Sequence, residues 1–145
     1  MLQRKQSLWL LIAALLNAGV FYFDLYRYHV SENNVDTVKM LRVSDHYPSL
    51  LIALVMTLLP LVTIFMYSNR KRQIAMTLIS ILAIGSFITM ALNRATGISK
   101  MIPAPTNESY WIGAVLPVIA IVFLLLAMLG IRRDEKLVKS VDRLR

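Results

Sequence analysis

The sequence contains no cysteine. This absence excludes a disulfide framework, a thiolate nucleophile and every metal site built on cysteine. It also leaves the redox compartment undetermined, because cysteine usage is what would report it. Any chemistry therefore has to come from the remaining side chains.

Charge is scarce, since charged residues make up 17% of the 145 residues and apolar residues 57%. A chain this short has too little polar surface to cover that apolar share in water, which indicates lipid as the solvent. The net charge is +8, but the basic residues flank apolar runs and form no stripe interleaved with aromatic residues. That placement is typical of membrane flanks and argues against a nucleic-acid partner.

Four apolar stretches are each long enough for a helix to cross about 30 Å of hydrocarbon. We predict transmembrane spans at about residues 8–28, 48–67, 74–92 and 110–131. No Lys, Arg, Asp or Glu lies within 8–23 or within the other three stretches, and one charge at a helix centre costs about 2.5–3.5 kcal/mol. The sequence thus predicts an all-α membrane protein with four transmembrane helices, forming one domain over residues 1–131.

The positions of Lys and Arg predict the orientation. Eleven of the 16 lie in the N-terminal flank, in the connection between the second and third spans, and after Ile131. The positive-inside rule then places both termini in the cytoplasm. Aromatic and basic residues at the ends of the spans are expected to anchor them at the membrane interfaces, namely Trp9, Tyr67, Arg70, Lys71, Arg72, Tyr110 and Trp111.

The outer connections contain few signals of regular structure. Residues 35–43 mix apolar and polar side chains and could form a short hairpin or an interfacial helix, and periodicity does not decide between them. The segment Ile102–Pro105 contains two prolines, which is typical of an extended surface loop.

Residues with catalytic or ligand-binding potential are few. His29, Glu32 and His46 lie in the first outer connection, and on a helix His29 and Glu32 would share one face, so a metal site can be drawn there. A solvated loop with scattered polar groups is the interpretation that we favour. No nucleophile–base pair or phosphate-binding loop accompanies them, and we expect no catalytic residue, no metal, no cofactor and no small-molecule substrate.

Polar and helix-breaking residues within the spans are also few. We interpret Asn17 as a helix–helix hydrogen bond rather than a ligand. Pro60 and Pro117 are interpreted as ordinary kinks, because neighbouring helices can satisfy the carbonyl that a proline leaves without a donor.

The segment after Ile131 has an amphipathic pattern. Leu137, Val138, Val141 and Leu144 are spaced as one face of a helix, so residues 132–145 predict an amphipathic cytoplasmic helix. It could lie on the lipid headgroups. It could also dock on a partner protein, since anionic lipid would repel its acidic residues.

The two ends of the chain carry distinctive patterns, MLQRKQSLWL over residues 1–10 and DEKLVKSVDRLR over residues 134–145. In these ends, with four apolar stretches between them, the chain resembles domain-of-unknown-function family 4293, small four-helix inner-membrane proteins of Bacteroidota. The resemblance implies a multi-pass protein of the bacterial inner (cytoplasmic) membrane. It supplies no catalytic residues.

Both ends are predicted on the cytoplasmic side, where we expect one partner-binding patch. Its candidate residues are Gln3, Arg4, Gln6, Asp134, Glu135, Leu137, Val138, Val141, Asp142, Arg143 and Leu144. The expected function is a non-enzymatic accessory or scaffold subunit of an inner-membrane complex, in protein export, insertion or envelope assembly. Its partners would be the lipid bilayer and other inner-membrane proteins. The alternatives are a small oligomeric channel or transporter, and a membrane enzyme that uses His29, Glu32 and His46.

Overall fold

The computed structural model describes residues 2–32, 35–67, 69–100 and 105–142, without the side chains of residues 2–4, 31, 32, 35 and 138–142. Within these ranges the chain forms four helices, α1 (Leu2–Gly19), α2 (Tyr47–Phe65), α3 (Arg70–Ser99) and α4 (Ile112–Asp142). Both α1 and α3 pack against α2 and α4. The chain therefore folds mainly into an up-and-down bundle of four helices.

Three helices in the described ranges are long and apolar enough to cross a membrane, over Tyr47–Phe65, Arg70–Ser99 and Ile112–Leu137. The membrane character predicted from the sequence is thus confirmed for three of the four spans. The helix α1 is not one of them. The predicted extension of this span to about residue 28 is wrong, since α1 ends at Gly19 and Tyr28 lies in a strand.

The connections between α1 and α2 and between α3 and α4 form a three-stranded antiparallel sheet, so the chain is mostly helical and the prediction of an all-α fold is wrong. Its strands are β1 (Tyr26–Glu32), β2 (Val35–Leu41) and β3 (Thr106–Tyr110), in the order β2-β1-β3. Neither structure considered for residues 35–43 is formed within that segment: Val35–Leu41 is a single strand, which makes a hairpin with β1. The strands are short and rich in polar residues, and β3 pairs with β1 across some eighty residues of the chain, so no local pattern reveals the sheet.

The register of the sheet places Tyr26 opposite both Leu41 and Tyr110. The pairing of β1 with β3 shifts between Arg27 and His29. Asn107, with φ at 51°, lies at this irregularity, and asparagine tolerates such a backbone better than most residues. A bulge of this kind changes the direction of the side chains that follow it.

The core lies along the axis of the bundle and receives side chains from every helix. Leu10, Met56, Ile84, Phe87 and Leu124 are completely or almost completely buried. Large apolar side chains also cover the outside of the bundle, as at Leu82, which is 63% exposed. Apolar groups on both sides of a helix are what a membrane protein needs, because its outer face meets lipid.

The helix α4 continues without a break from the apolar segment to Asp142. The predicted separate C-terminal helix over residues 132–145 is therefore the end of α4, as far as the chain is described. Similarly, α3 begins at Arg70, four residues before the predicted span, and ends at Ser99, seven residues after it. Asn69 caps its start by accepting a hydrogen bond from the Arg72 backbone N–H at 3.2 Å.

Candidate functional site

The end of the bundle opposite the sheet, here called the basic end, holds Gln6, Arg70 and Asp134. The Nε2 group of Gln6 donates to Oδ2 of Asp134, and Nη1 of Arg70 donates to the Asp134 backbone oxygen at 2.7 Å. Gln6 and Asp134 are both buried. Their contacts join α1, α3 and α4 at one point of the basic end.

The structure brings two of the predicted patch residues, Gln6 and Asp134, into direct contact. Glu135 and Leu137 follow Asp134 on the same helix, and Leu137 is 56% exposed. The helical backbone includes five further candidates whose side chains lie outside the described part of the chain: Gln3, Arg4, Val138, Val141 and Asp142. Arg143 and Leu144 lie outside the described residues altogether.

Inside the bundle, the prediction that Asn17 forms a helix–helix hydrogen bond is confirmed. Its Nδ2 group donates to the backbone oxygen of Met56 at 2.8 Å. Met56 lies four residues before Pro60, which has no N–H to complete the helical hydrogen bond. Asn17 therefore supplies from α1 the donor that Pro60 removes from α2, which is a structural role.

At the sheet end, Asp24 is a buried carboxylate held by two arginines. Its oxygens accept from Nη2 of Arg27 at 2.7 Å and from Nε of Arg42 at 2.8 Å. Burial alone would raise the pKa of Asp24, but the hydrogen bonds from Arg42 and Arg27 lower it below its ordinary value. The carboxylate thus stays ionised and joins the chain after α1 to β1 and to the end of β2.

The side chains of Tyr26, Ser99 and Glu108 form a polar group beside this ion cluster. The Tyr26 hydroxyl donates to Oε2 of Glu108 at 2.6 Å, and the Ser99 hydroxyl donates to the same oxygen at 2.7 Å. These two hydrogen bonds lower the pKa of Glu108, and burial and Glu108 raise that of Tyr26. Glu108 is therefore a carboxylate and Tyr26 a neutral hydroxyl at neutral pH.

The predicted interface anchors occupy different settings. The ring of Trp9 stacks on Phe123 with centroids 5.5 Å apart, and Trp111 lies under the Arg27 guanidinium at 3.9 Å. Tyr67 and Tyr110 are more than half exposed. The three basic anchors, Arg70, Lys71 and Arg72, form the first turn of α3. Lys71 and Arg72 are exposed, and Arg70 contacts α4.

The histidines occupy separate structural positions. His46 precedes α2, and its Nδ1 accepts from the Ser49 backbone N–H at 3.3 Å, which caps the helix. His29 and Glu32 lie in a strand, where positions three apart face opposite sides, so the shared face that a helix would give them is not formed. In the described part of the chain, no three His, Asp or Glu side chains are grouped as metal ligands.

Sequence reasoning missed Asp24, Tyr26, Ser99 and Glu108. One signal was present, because Asp24 and Arg27 would have placed two charges inside the longest version of the first span. Those charges indicate that the span ends earlier. Glu108 and Ser99 carry no comparable signal, since the strand pairing that brings them to Tyr26 is not local.

Comparison with known proteins identifies one family. The family described as domain of unknown function (DUF4293) matches residues 2–144. No curated protein and no solved structure matches the chain.

Proposed function

The chain belongs to the DUF4293 family, and we propose that it is a non-enzymatic accessory or scaffold subunit of a bacterial inner-membrane complex. In this proposal both termini are cytoplasmic and the basic end binds a partner protein. We favour a complex that acts in protein export, membrane-protein insertion or envelope assembly. The observation that carries the proposal is the joining of α1, α3 and α4 through Gln6, Arg70 and Asp134.

Contacts that hold three helix ends together favour docking there, because less backbone freedom is lost on binding. The two buried members of the group, Gln6 and Asp134, hold the start of α1 against α4. The end of α4 then carries Arg132, Arg133 and Lys136, all exposed, around the exposed Leu137. An exposed apolar side chain within a charged rim is the usual composition of a protein interface.

We further propose that α1 is the fourth membrane span. Leu10 and Ala13 are completely buried in the bundle, whereas Leu8, Leu11 and Leu15 are exposed on its outside. Those leucines would contact lipid if α1 crosses the membrane beside α4. An even number of crossings then places both ends of the chain on the same side, and the concentration of Lys and Arg there indicates the cytoplasm.

An oligomeric channel is the second candidate, because one groove beside α3 contains polar side chains. Ser86, Thr89 and Asn93 line it, together with Arg94. The hydroxyls of Ser86 and Thr89 donate to carbonyls of their own helix, at 3.0 Å in each case. Because these hydrogens are already donated, the groove offers fewer hydrogen-bond donors to an anion or a polar solute than its composition suggests.

Purification of the natively tagged protein in mild detergent, with mass spectrometry of the proteins that accompany it, tests the main proposal. We expect one stoichiometric membrane partner that is lost in Leu137→Asp. Val38→Asp is the matched control, because Val38 is an exposed apolar residue at the sheet end. A partner retained equally by both variants, or a solitary protein that conducts ions in liposomes, would contradict the proposal.

A further inference from the structure

A cavity of about 360 Å³ lies at the sheet end, between α3, α4 and the sheet. Tyr26 and Tyr110 line it from the sheet, Ala91 from α3, and Ala114 from α4. Its wall is almost entirely apolar. The volume is at the lower end of the range of about 300–1,000 Å³ that small-molecule sites occupy.

The cavity lies beside the surface that faces hydrocarbon. Two residues of its wall, Leu92 on α3 and Val115 on α4, are about half exposed. Both helices belong to the candidate membrane spans. A cavity bounded by two such helices is accessible from the bilayer, where the abundant molecules with an apolar part are lipids.

A carboxylate lies next to the apolar wall. Glu108 and Tyr110 are two positions apart on β3, so their side chains leave the same face of the sheet. Tyr110 lines the cavity, and the Tyr26 hydroxyl, whose ring also lines it, donates to Glu108. The hydrogen bonds that lower the pKa of Glu108 keep it ionised. If α3 and α4 cross the bilayer, their sheet end is where lipid headgroups would lie.

We propose that this cavity binds one acyl chain of a phospholipid whose headgroup carries a primary ammonium, with that ammonium against Glu108. The charge at the rim selects this occupant, because the carboxylate attracts a cation and repels a headgroup with net negative charge. Lys100 is exposed and directly follows Ser99, one of the two residues that donate to Glu108. We expect its ammonium to attract the phosphate of the same lipid. This site does not depend on the proposed function.

The headgroup chemistry predicts an order of preference. A primary ammonium donates hydrogen bonds to a carboxylate, a trimethylammonium only attracts it, and an anionic glycerol headgroup is repelled. We therefore expect phosphatidylethanolamine to be retained in preference to phosphatidylcholine, and phosphatidylcholine in preference to phosphatidylglycerol. The preference for the first over the last should reach up to about fivefold, as an exposed ion pair allows.

The test uses the full-length protein in detergent, equilibrated with an equimolar mixture of the three phospholipids, with retained lipid identified by native mass spectrometry. Glu108→Gln keeps an oxygen that accepts from Tyr26 and Ser99 but removes the charge. This variant should retain phosphatidylethanolamine and phosphatidylglycerol in a ratio of about one, while its thermal stability changes little. An unchanged preference in this variant would overturn the assignment of the headgroup.

A second variant tests the cavity itself. Ala91→Phe places a ring in the cavity, and Ala75→Phe makes the same change at an exposed position near the other end of α3. We expect Ala91→Phe to lose most of the retained lipid and Ala75→Phe to keep it, with both variants checked for helical content. Equal retention by the two variants, or no lipid retained by the unmodified protein, would overturn the proposal.

Discussion

At the residue scale, the clearest interaction is the one between Asn17 and the backbone oxygen of Met56. A polar side chain in a membrane span is usually examined as a ligand or a proton carrier. Here its position across from the carbonyl that Pro60 leaves without a donor explains the hydrogen bond of its Nδ2 group, while its buried Oδ1 atom has no hydrogen-bond partner among the described residues. The asparagine on α1 and the proline on α2 form one structural unit, although they lie far apart in the sequence.

This pairing predicts the outcome of a double-mutant cycle. Asn17→Ala should reduce the free energy of unfolding by about 1–2 kcal/mol, because the buried Met56 carbonyl loses its donor. In a Pro60→Ala background the same change should cost less, since residue 60 then supplies an N–H. Unfolding in mixed micelles measures both. Equal costs in the two backgrounds would show that the two residues are not coupled.

Gly113 is required for a second close contact, between the start of α4 and the chain that follows α1. A Cβ atom there would lie 2.6 Å from the backbone oxygen of Asp24 and 2.7 Å from that of Phe23. Gly113→Ala should therefore destabilise the protein by about 1–3 kcal/mol, the usual cost of overpacking, or more if the backbone does not move.

Gly85 is the matched control, because a Cβ atom there meets nothing within 4 Å. Gly85→Ala should be neutral or stabilise the protein by up to about 1 kcal/mol through helix propensity. Thermal denaturation in detergent compares the two variants. The contact assigned to Gly113 would be disproved if both alanines gave the same stability.

At the scale of secondary-structure elements, one ion cluster holds α1, the sheet and α4 together. Asp24 accepts from Arg27 of β1 and from Arg42, which follows β2, and its backbone oxygen accepts from the Gly113 N–H at 3.1 Å. Arg27 also contacts the ring of Trp111. The sheet is therefore attached to the bundle through Asp24 as well as through its apolar face.

This cluster predicts how stability depends on pH. The pKa of Asp24 in the folded state lies below its ordinary value of 3.8. The ionised carboxylate therefore stabilises the folded state at pH values above 3.8. This stabilisation is lost as the pH falls through the folded-state pKa. The melting temperature should drop in acid, and Asp24→Asn should be less stable at pH 7 and less sensitive to acid. Asp36→Asn, at an exposed position on β2, is the control. An equally steep acid dependence in Asp24→Asn would contradict the prediction.

At the scale of the whole molecule, the bundle has two chemically different ends. The sheet and its ion cluster lie at one end, and the N-terminal turns of α1, the basic turn of α3 and the end of α4 lie at the other. The lateral surface between them is largely apolar. This division fits a molecule that lies across a bilayer, and we propose that the basic residues decide which end is cytoplasmic.

The lack of cysteine makes the orientation directly measurable. Single variants Lys5→Cys and Lys136→Cys at the basic end, and Thr37→Cys on β2, can be treated with a membrane-impermeant thiol reagent. In cells with a permeabilised outer membrane, only Thr37→Cys should be labelled, and the other two should react after the inner membrane is opened. Labelling of Lys5→Cys from outside would show that α1 does not cross the membrane.

The sequence alone was enough to predict the helical membrane character and the family. Long stretches without charge can be stable as helices in lipid whatever their tertiary contacts, because each helix satisfies its own backbone hydrogen bonds. The role of Asn17 could be predicted for a related reason, since a lone polar group inside hydrocarbon needs a partner. The sequence could also have predicted that the first span ends before residue 24, because Asp24 and Arg27 are charged and a charge within a span is costly.

Only the tertiary structure decided the sheet, the ion cluster and the apolar cavity. The strand β3 pairs with β1 across some eighty residues, and Glu108 meets Tyr26 only as a result of that pairing. Likewise, Gln6 and Asp134 are 128 residues apart in the chain. Hydrophobic periodicity is a local property and cannot specify such contacts, which depend on how the four helices are arranged. The membrane spans follow from local composition and the shared patch of the two ends from the predicted topology, whereas the direct contact of Gln6 with Asp134 and the whole site at the sheet end follow from packing.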